Sequence, residues 1–398
     1  MNKRVLLGVT GSIAAYKSAD IISRLVRTGY NVTVVMTANA AKFITPLTLE
    51  SLSKNKVYVD MFNDEDHSKI THIALATESD LILVAPATFN IIGKTASGLA
   101  DDLLSSILAA APSSKVIFAP AMNVNMYSNA ANIENINKLS DRGYTFIEPE
   151  EGTLACGVTG KGRLRNVSDI IDTVNGHFHE KVLKGKKVLI TAGATREYLD
   201  PIRFLSNSSS GLMGISLAKA CRNMGADVTL VMANSKYDAN VHKVIKVDTV
   251  DQMYEAALSE FDNTDLVFSV AAVSDFKPKI RNSSKIKKSN RDLSVEFELN
   301  KDILYEMGRR KKRQFLVGFA AESESLFENA KAKLEKKNLD MIIANQLTNF
   351  SSNEGKVWLI SPSETSLLEA KLKEDLAYDI VNQVISSWYK VSEERSGI

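Results

Sequence analysis

The chain has 398 residues, 44% of them apolar, with 49 Lys and Arg set against 47 Asp and Glu. At about 150 residues per domain that length makes two to three domains, and the apolar share excludes a disordered chain. The formal charge of +2 offers no broad cationic surface for nucleic acid, though it leaves room for a local basic site. Two cysteines, Cys156 and Cys221, exclude a disulfide framework and a four-cysteine zinc site. The longest apolar runs, such as residues 81–87, are far short of a membrane span. The opening MNKRVLLGVTGS sets basic residues before an apolar run, but the run breaks at Gly8 and reads as a buried strand, not a signal peptide. The expectation is a soluble protein of a reducing cytoplasm, with no membrane or nucleic-acid partner.

Residues 4–10 (RVLLGVT) form a short apolar run that ends in Gly11-Ser12. An Ala-rich helical stretch over 13–27 and the β-branched run 32–36 (VTVVM) complete a strand, helix, strand unit, the opening of a parallel sheet. Further strands are expected at 81–85 and 116–119, with helices near 68–77, 101–111 and 130–141. Strands this uniformly apolar need helices on both faces. Residues 148–166 carry four glycines and fit neither a helical nor a strand period, which predicts a functional loop or flap. After a basic linker at 181–187 the pattern restarts with 187–191 (KVLIT), a helix over 210–224 and 228–232 (VTLVM). Strands at 266–270, 315–319 and 341–344, helices near 250–259, 323–337 and 373–386, and a late hairpin turning at 361–364 follow. The simplest fold class is α/β, two Rossmann-like doubly wound domains, with a boundary that gives domains 1–182 and 183–398.

In open parallel sheets ligands bind at the carboxyl ends of the strands. Three strand-end segments of the first half are unusual: 8–13 (GVTGSI), 85–90 (APATFN) and 119–127 (APAMNVNMY). The first places small residues before a helix start, which suits an anion, but lacks the G-x-G-x-x-G spacing of a nicotinamide dinucleotide site. With His72 in THIALA, APATFNIIGKTASGLADDLLS (85–105) and ACGVTGKGRL (155–164), these segments resemble the homo-oligomeric flavin-containing cysteine decarboxylases. The whole chain resembles the family that joins a phosphopantothenoylcysteine decarboxylase to a phosphopantothenate–cysteine ligase in coenzyme A biosynthesis. The resemblance implies a flavodoxin-like N-terminal domain holding FMN at a subunit interface. Gly11, Ser12 and Ile13 would meet the flavin and its phosphate tail, Thr37 the phosphate, and Ala85, Pro86, Ala87 and Thr88 the ring and ribityl chain. It also implies a reason for the flavin. Loss of CO2 from a cysteine amide leaves a carbanion with no acceptor; oxidising CH2–SH to a thioaldehyde supplies one, and reduced flavin returns the hydride afterwards. His72 would be base or electrostatic partner at the reacting cysteine. Asn123 would hold the carboxylate, and Cys156 would give a proton to the enethiolate. Cys221, in an Ala-rich helix, reads as core.

In the second half, ITAGATREYLDPIRFLSNSSSGLMG (190–214) sets a Ser-Ser-Ser-Gly turn before a helix, where hydroxyl and N–H groups converge on a phosphate-sized space. The run matches the ligase pattern, with Ala194 and Leu212 where the family usually has Pro and Lys. Ala271 and Asp275 follow a strand, and the basic loop at 284–288 holds Lys285. The resemblance makes Lys285 the key cation at the nucleotide phosphates and Asn207 the holder of the acyl intermediate. It gives CTP recognition to Ala271, Asp275, Lys301, Asp302, Ile303, Leu304 and Phe319, and the triphosphate to Lys333 and Lys337. Lys301 replaces the usual Pro. The implied reaction activates the carboxylate of 4′-phosphopantothenate as an acyl-cytidylate, because oxide is a poor leaving group and CMP a good one. The amine of L-cysteine then attacks the acyl carbon. Lysines and Mg²⁺ would neutralise the phosphates; no residue pattern identifies ligands for the metal. Trimeric packing of flavin domains and dimeric packing of ligase domains are implied. Two rival readings are a tandem nicotinamide-dependent reductase and a non-enzymatic flavin-domain regulator. The missing glycine fingerprint weighs against the first, and the intact His72, Asn123 and Cys156 set against the second.

Overall fold

The computed structural model describes residues 3–62, 70–153, 157–237, 239–287, 293–322, 325–346 and 354–396. Cys156 lies outside them. The chain divides into two compact units, Met1–His177 and Phe178–Ile398.

The first unit is built on a six-stranded sheet. Its order is Val57–Tyr58, Asn31–Met36, Arg4–Val9, Leu81–Ala87, Val116–Pro120, Thr145–Phe146, all parallel. Leu6, Leu83 and Phe118 are completely buried, as strands covered on both faces require. The sheet grows outward in both directions from its first strand, so the chain reverses between Arg4–Val9 and Leu81–Ala87. That reversal opens a crevice at their carboxyl ends.

The second unit repeats the plan in an eight-stranded sheet. Its order is Lys243–Lys246, Asp227–Met232, Lys187–Ala192, Leu266–Ser269, Phe315–Glu322, Met341–Gln346, with Glu354–Ile360 and Thr365–Leu372 added antiparallel. The reversal falls between Lys187–Ala192 and Leu266–Ser269. Helix Lys373–Ser396 packs Leu376, Ile380 and Val384 into the core on the face shared with helix Leu212–Asn223. The two doubly wound α/β domains expected from the sequence are present, and the late hairpin turns where expected, with Ser361 N–H donating to the Glu364 carbonyl.

Two expectations fail for physical reasons. The segment read as an aperiodic flap contains an antiparallel hairpin, Glu150–Thr153 with Thr159–Arg163. Gly152, Gly160 and Gly162 carry no side chain to mark a period of two, and backbone pairing makes the strands. The segment read as a basic linker is part of the second unit. Leu183 is fully buried, its N–H donates to the Met224 carbonyl, and Lys181 Nζ donates to the Asn223 carbonyl. Its apolar anchor is a single residue inside a run of lysines, which composition hides. Helices Pro46–Ser53, Phe89–Ser97 and Val167–Phe178 were not expected.

Candidate functional sites

In the first unit, Thr10 stands at the end of the central strand, buried, and ties the crevice together. Its hydroxyl donates to the Pro86 carbonyl (2.7 Å) and accepts from Thr88 N–H (3.1 Å). Gly11 follows in close quarters: a Cβ there would lie 2.6 Å from Asn39 Cβ. Ser12 caps the 3-10 turn Ile13–Lys17 by accepting from Ala14 N–H. Ile13 is exposed beside it. Thr37 ends the neighbouring strand, with its N–H on the Val9 carbonyl and its hydroxyl accepting from Ala40 N–H. Ala85, Pro86 and Ala87 are the buried end of Leu81–Ala87, and Thr88 starts helix Phe89–Ser97. Every flavin-contact residue named from the sequence therefore sits at the carboxyl ends of three adjacent strands.

Asn123 follows the fourth strand end and caps the turn Val124–Tyr127, its side chain accepting from Asn125 N–H (2.9 Å). The hairpin runs across this turn. Met122 N–H donates to the Gly162 carbonyl, and a Cβ on Gly162 would meet the Met122 carbonyl at 2.4 Å. Glycine is what lets two backbones approach this closely. Residues 154–156, Cys156 among them, fall between the two hairpin strands in sequence and lie outside the described residues. His72 is half-buried in helix Thr71–Glu78. Part of the longer motif is architectural. Asp102 caps helix Leu103–Ala110, and Lys94 bridges Asp101 (2.6 Å) and Asp102 (2.8 Å). Burial acts to raise the Asp102 pKa, but the Lys94 and Ser105 hydrogen bonds outweigh it and hold the carboxyl below its ordinary range.

The second unit carries a cavity of about 830 Å³ at its own chain reversal. Thr191 plays the part of Thr10: its hydroxyl accepts from Val270 and Ala271 N–H. One wall is the Ser209–Gly214 turn, where Gly211 starts helix Leu212–Asn223 with no side-chain cap. Gly211 and Leu212 N–H donate to the Ser209 and Ser210 hydroxyls (3.4 Å each), so two hydroxyls and the start of a helix converge on this wall. Gly214 packs this helix start onto the strand; a Cβ there would lie 2.6 Å from Ala192 Cβ. Asn207 lines the cavity with its amide donating to the Val273 carbonyl (3.1 Å), and Ala271 and Asp275 line it from the next strand end.

A further wall is residues 300–304. Asp302 caps helix Ile303–Arg310 and is bridged by Lys337 (2.8 Å). Lys301 places its charge on Asp251 (2.7 Å) and over the Tyr254 ring (4.9 Å). Phe319 completes this part of the wall, and Lys333 Nζ donates to its carbonyl (2.7 Å). The two lysines one helical turn apart are thus tied to different oxygens. The structure gathers all of these sequence-named residues into one cavity with the exception of Lys285. Lys285 is exposed and outside the lining, on a loop that Asp200 and Arg203 clamp. Asp200 Oδ2 accepts from Ile286 N–H (3.1 Å) while Arg203 Nη1 donates to the Ile286 carbonyl (3.1 Å). The Arg203 backbone hydrogen bond, with those of Ile202 and Ile286, holds the Asp200 carboxyl below its usual range against the opposing effect of desolvation.

Sequence reasoning named Asn300 only as the head of the 300–304 segment that the resemblance gives to the base, and missed Lys373. Asn300 lines the cavity, and its buried Nδ2 has no partner among the described residues. Lys373 is buried in the wall formed with Asn345, Gly355 and Val357. The only hint of Lys373 was its position at the start of the last helix.

Comparison with known proteins bears on both units. A family model described as Flavoprotein matches residues 1–179, and one described as DNA/pantothenate metabolism flavoprotein C-terminal domain matches residues 183–387. The coenzyme A biosynthesis bifunctional protein CoaBC of Borreliella burgdorferi is 46% identical over 96% of this chain and 98% of its own length. That of Bacillus subtilis is 44% identical over 99% of each. A crystal structure of the C-terminal domain of a coenzyme A biosynthesis bifunctional protein CoaBC is 35% identical, covers 53% of this chain and 100% of its own, and superposes with a TM-score of 0.47.

Proposed function

This chain belongs to the family of coenzyme A biosynthesis bifunctional proteins, and we propose that each of its two compact units carries one of the family's two reactions. It is an enzyme of coenzyme A biosynthesis, a flavoprotein decarboxylase joined to a ligase. In the second unit CTP activates 4′-phosphopantothenate and L-cysteine is ligated to it. In the first unit the product, phosphopantothenoylcysteine, is decarboxylated to 4′-phosphopantetheine.

The first crevice fits FMN by its donor set. Ser12, Thr37 and Thr88 bring hydroxyls, the strand-end turns bring backbone N–H groups, and none of residues 10–13, 37–39, 85–88 and 119–123 is acidic. A phosphate tail and an uncharged ring therefore meet no opposing carboxylate there. When bound, the flavin supplies a temporary electron acceptor for the cysteine carbon next to sulfur. The protein's own part is to bind and protonate. Asn123 orients the substrate carboxylate, His72 takes or steers a proton at the reacting cysteine, and Cys156 protonates the enethiolate.

The observation that carries the ligase reading is the cavity itself. Asn207, Asp275, the 300–304 turn, Phe319 and Lys333 come from separate segments and meet around one space large enough for a nucleotide and a second substrate. The orphaned Asn300 amide suits the acceptor edge of a base. Lys285 would neutralise the phosphates as pyrophosphate leaves, and Mg²⁺, if carried in with the nucleotide, would supply further positive charge there. Exposed apolar side chains support homo-oligomers. Ile13 and Tyr16 lie beside the flavin crevice, as a trimer of the first units needs. Phe204, Phe276 and Leu299 lie on the small hairpins of the second, as a dimer needs. No helix among the described residues is long and apolar enough to cross a membrane, and a cytoplasmic setting suits the substrates.

One coupled assay tests the whole reading. With phosphopantothenate, cysteine, CTP and Mg²⁺, pyrophosphate and CO2 are followed separately, and both should appear, with CTP preferred over ATP. A purified protein without flavin absorbance that stays inert after FMN is added overturns the first half; absence of CTP-dependent pyrophosphate overturns the second.

A further inference from the structure

Lys373 is only 8% exposed, a rare state for a lysine. It begins helix Lys373–Ser396 at the ligand-bearing edge of the second sheet. Strand Glu354–Ile360 runs back antiparallel from the end of Met341–Gln346, which brings Gly355 beside the lysine stem. A Cβ on Gly355 would stand 3.9 Å from Lys373 Cγ and 3.2 Å from Leu376 Cδ2, so glycine leaves the stem its lane into the cavity wall. Burial pushes the ammonium's pKa down, because the charged form has lost hydrating water.

The ligation reaction, on whose assignment to this cavity the inference rests, brings a triphosphate and a phosphomonoester into one space. Lys333 and Lys337 line one part of that space, and Lys373 lines another. A cation on another wall is what two mutually repelling phosphates require. We propose that Lys373 is a phosphate-binding residue of this cavity, contacting either the nucleotide's phosphates or the phosphate of the pantothenate substrate.

The test is K373M in the full chain, with K373R as the charge-conserving companion. KM for CTP and for phosphopantothenate are measured separately, with inorganic pyrophosphate as a competing probe. A rise of about tenfold or more in one KM is expected, from loss of a charge-assisted contact, with substantial recovery in K373R. A CTP effect with weakened pyrophosphate inhibition identifies the nucleotide's phosphates; a phosphopantothenate effect identifies the phosphomonoester. Unchanged KM values, or a lowered melting temperature with both KM values held, overturn the proposal. Should K373M fail to fold, acetylation of Lys373 in the wild type is mapped with and without each substrate. Protection by one of them is expected, and equal labelling overturns the proposal. Wild-type ligation is the control: its absence removes the ligase reading itself, whereas an active wild type matched by K373M removes only Lys373.

Discussion

Gly214→Ala separates the architecture of the ligase site from its chemistry. The added methyl would lie 2.6 Å from Ala192 Cβ and 3.2 Å from its Cα, while ordinary contact begins at 3.4 Å. The start of helix Leu212–Asn223 must therefore move away from the strand end by about 0.8 Å, carrying the Ser209–Gly214 wall with it. Overpacking of this kind costs about 1–3 kcal/mol, offset by up to about 1 kcal/mol of helix propensity gained over glycine. A net loss of about 1–2 kcal/mol lowers the melting temperature of a unit this size by about 2–8 °C. A displacement near 1 Å in a positioning wall lowers ligation by about 10- to 100-fold. Ligation is read as pyrophosphate release, and decarboxylation of supplied phosphopantothenoylcysteine is the internal control that should not change. Ligation within about twofold of wild type, together with an unshifted melting curve, refutes the claim that this glycine sets the position of the Ser209–Gly214 wall.

Cys156→Ser should keep the flavin colour yet stall before 4′-phosphopantetheine; normal product yield removes the acid role. Asn207→Asp and Lys285→Gln should each lower ligation by about 100-fold, the range for losing one transition-state contact, with decarboxylation intact; loss of both activities denies that the units work separately. His179 is stacked on Tyr378 with ring centroids 4.1 Å apart, and burial, then Lys181, lower its pKa. The unfolded chain therefore binds this proton at higher pH than the folded one, and the contribution to stability is lost as pH falls through about 6.5 toward the lower folded value. His179→Phe should flatten the melting temperature of the second unit between about pH 7 and 5; a curve as steep as wild type contradicts the assignment.

Much of this protein was written along the chain. Runs such as RVLLGVT and KVLIT mark buried parallel strands because both faces of such a strand are apolar, a property of consecutive residues. The strand-end motifs were legible for the same reason: Gly11-Ser12, Ala85 to Thr88 and Asn207 each lie within a few residues of their strand. Cys221 read as core, and it is fully buried with its thiol pKa pushed up by desolvation. The hairpin over Asn123 was not legible, because Gly162 matters only through the Met122 backbone, which it approaches from 40 residues away. Nor was the separation of Lys301, which pairs with Asp251, from Lys337, which bridges Asp302; a charged residue's partner is fixed by folding, not by spacing. Leu183 and Lys373 make the same point from opposite sides. One is apolar in a basic run and the other basic in an exposed-looking helix start, yet both are buried. Local sequence determines which segments become strands and helices, since those bonds are made within a few residues. Which side chains face one another across a cavity depends on contacts between distant segments, and only the tertiary structure decides that.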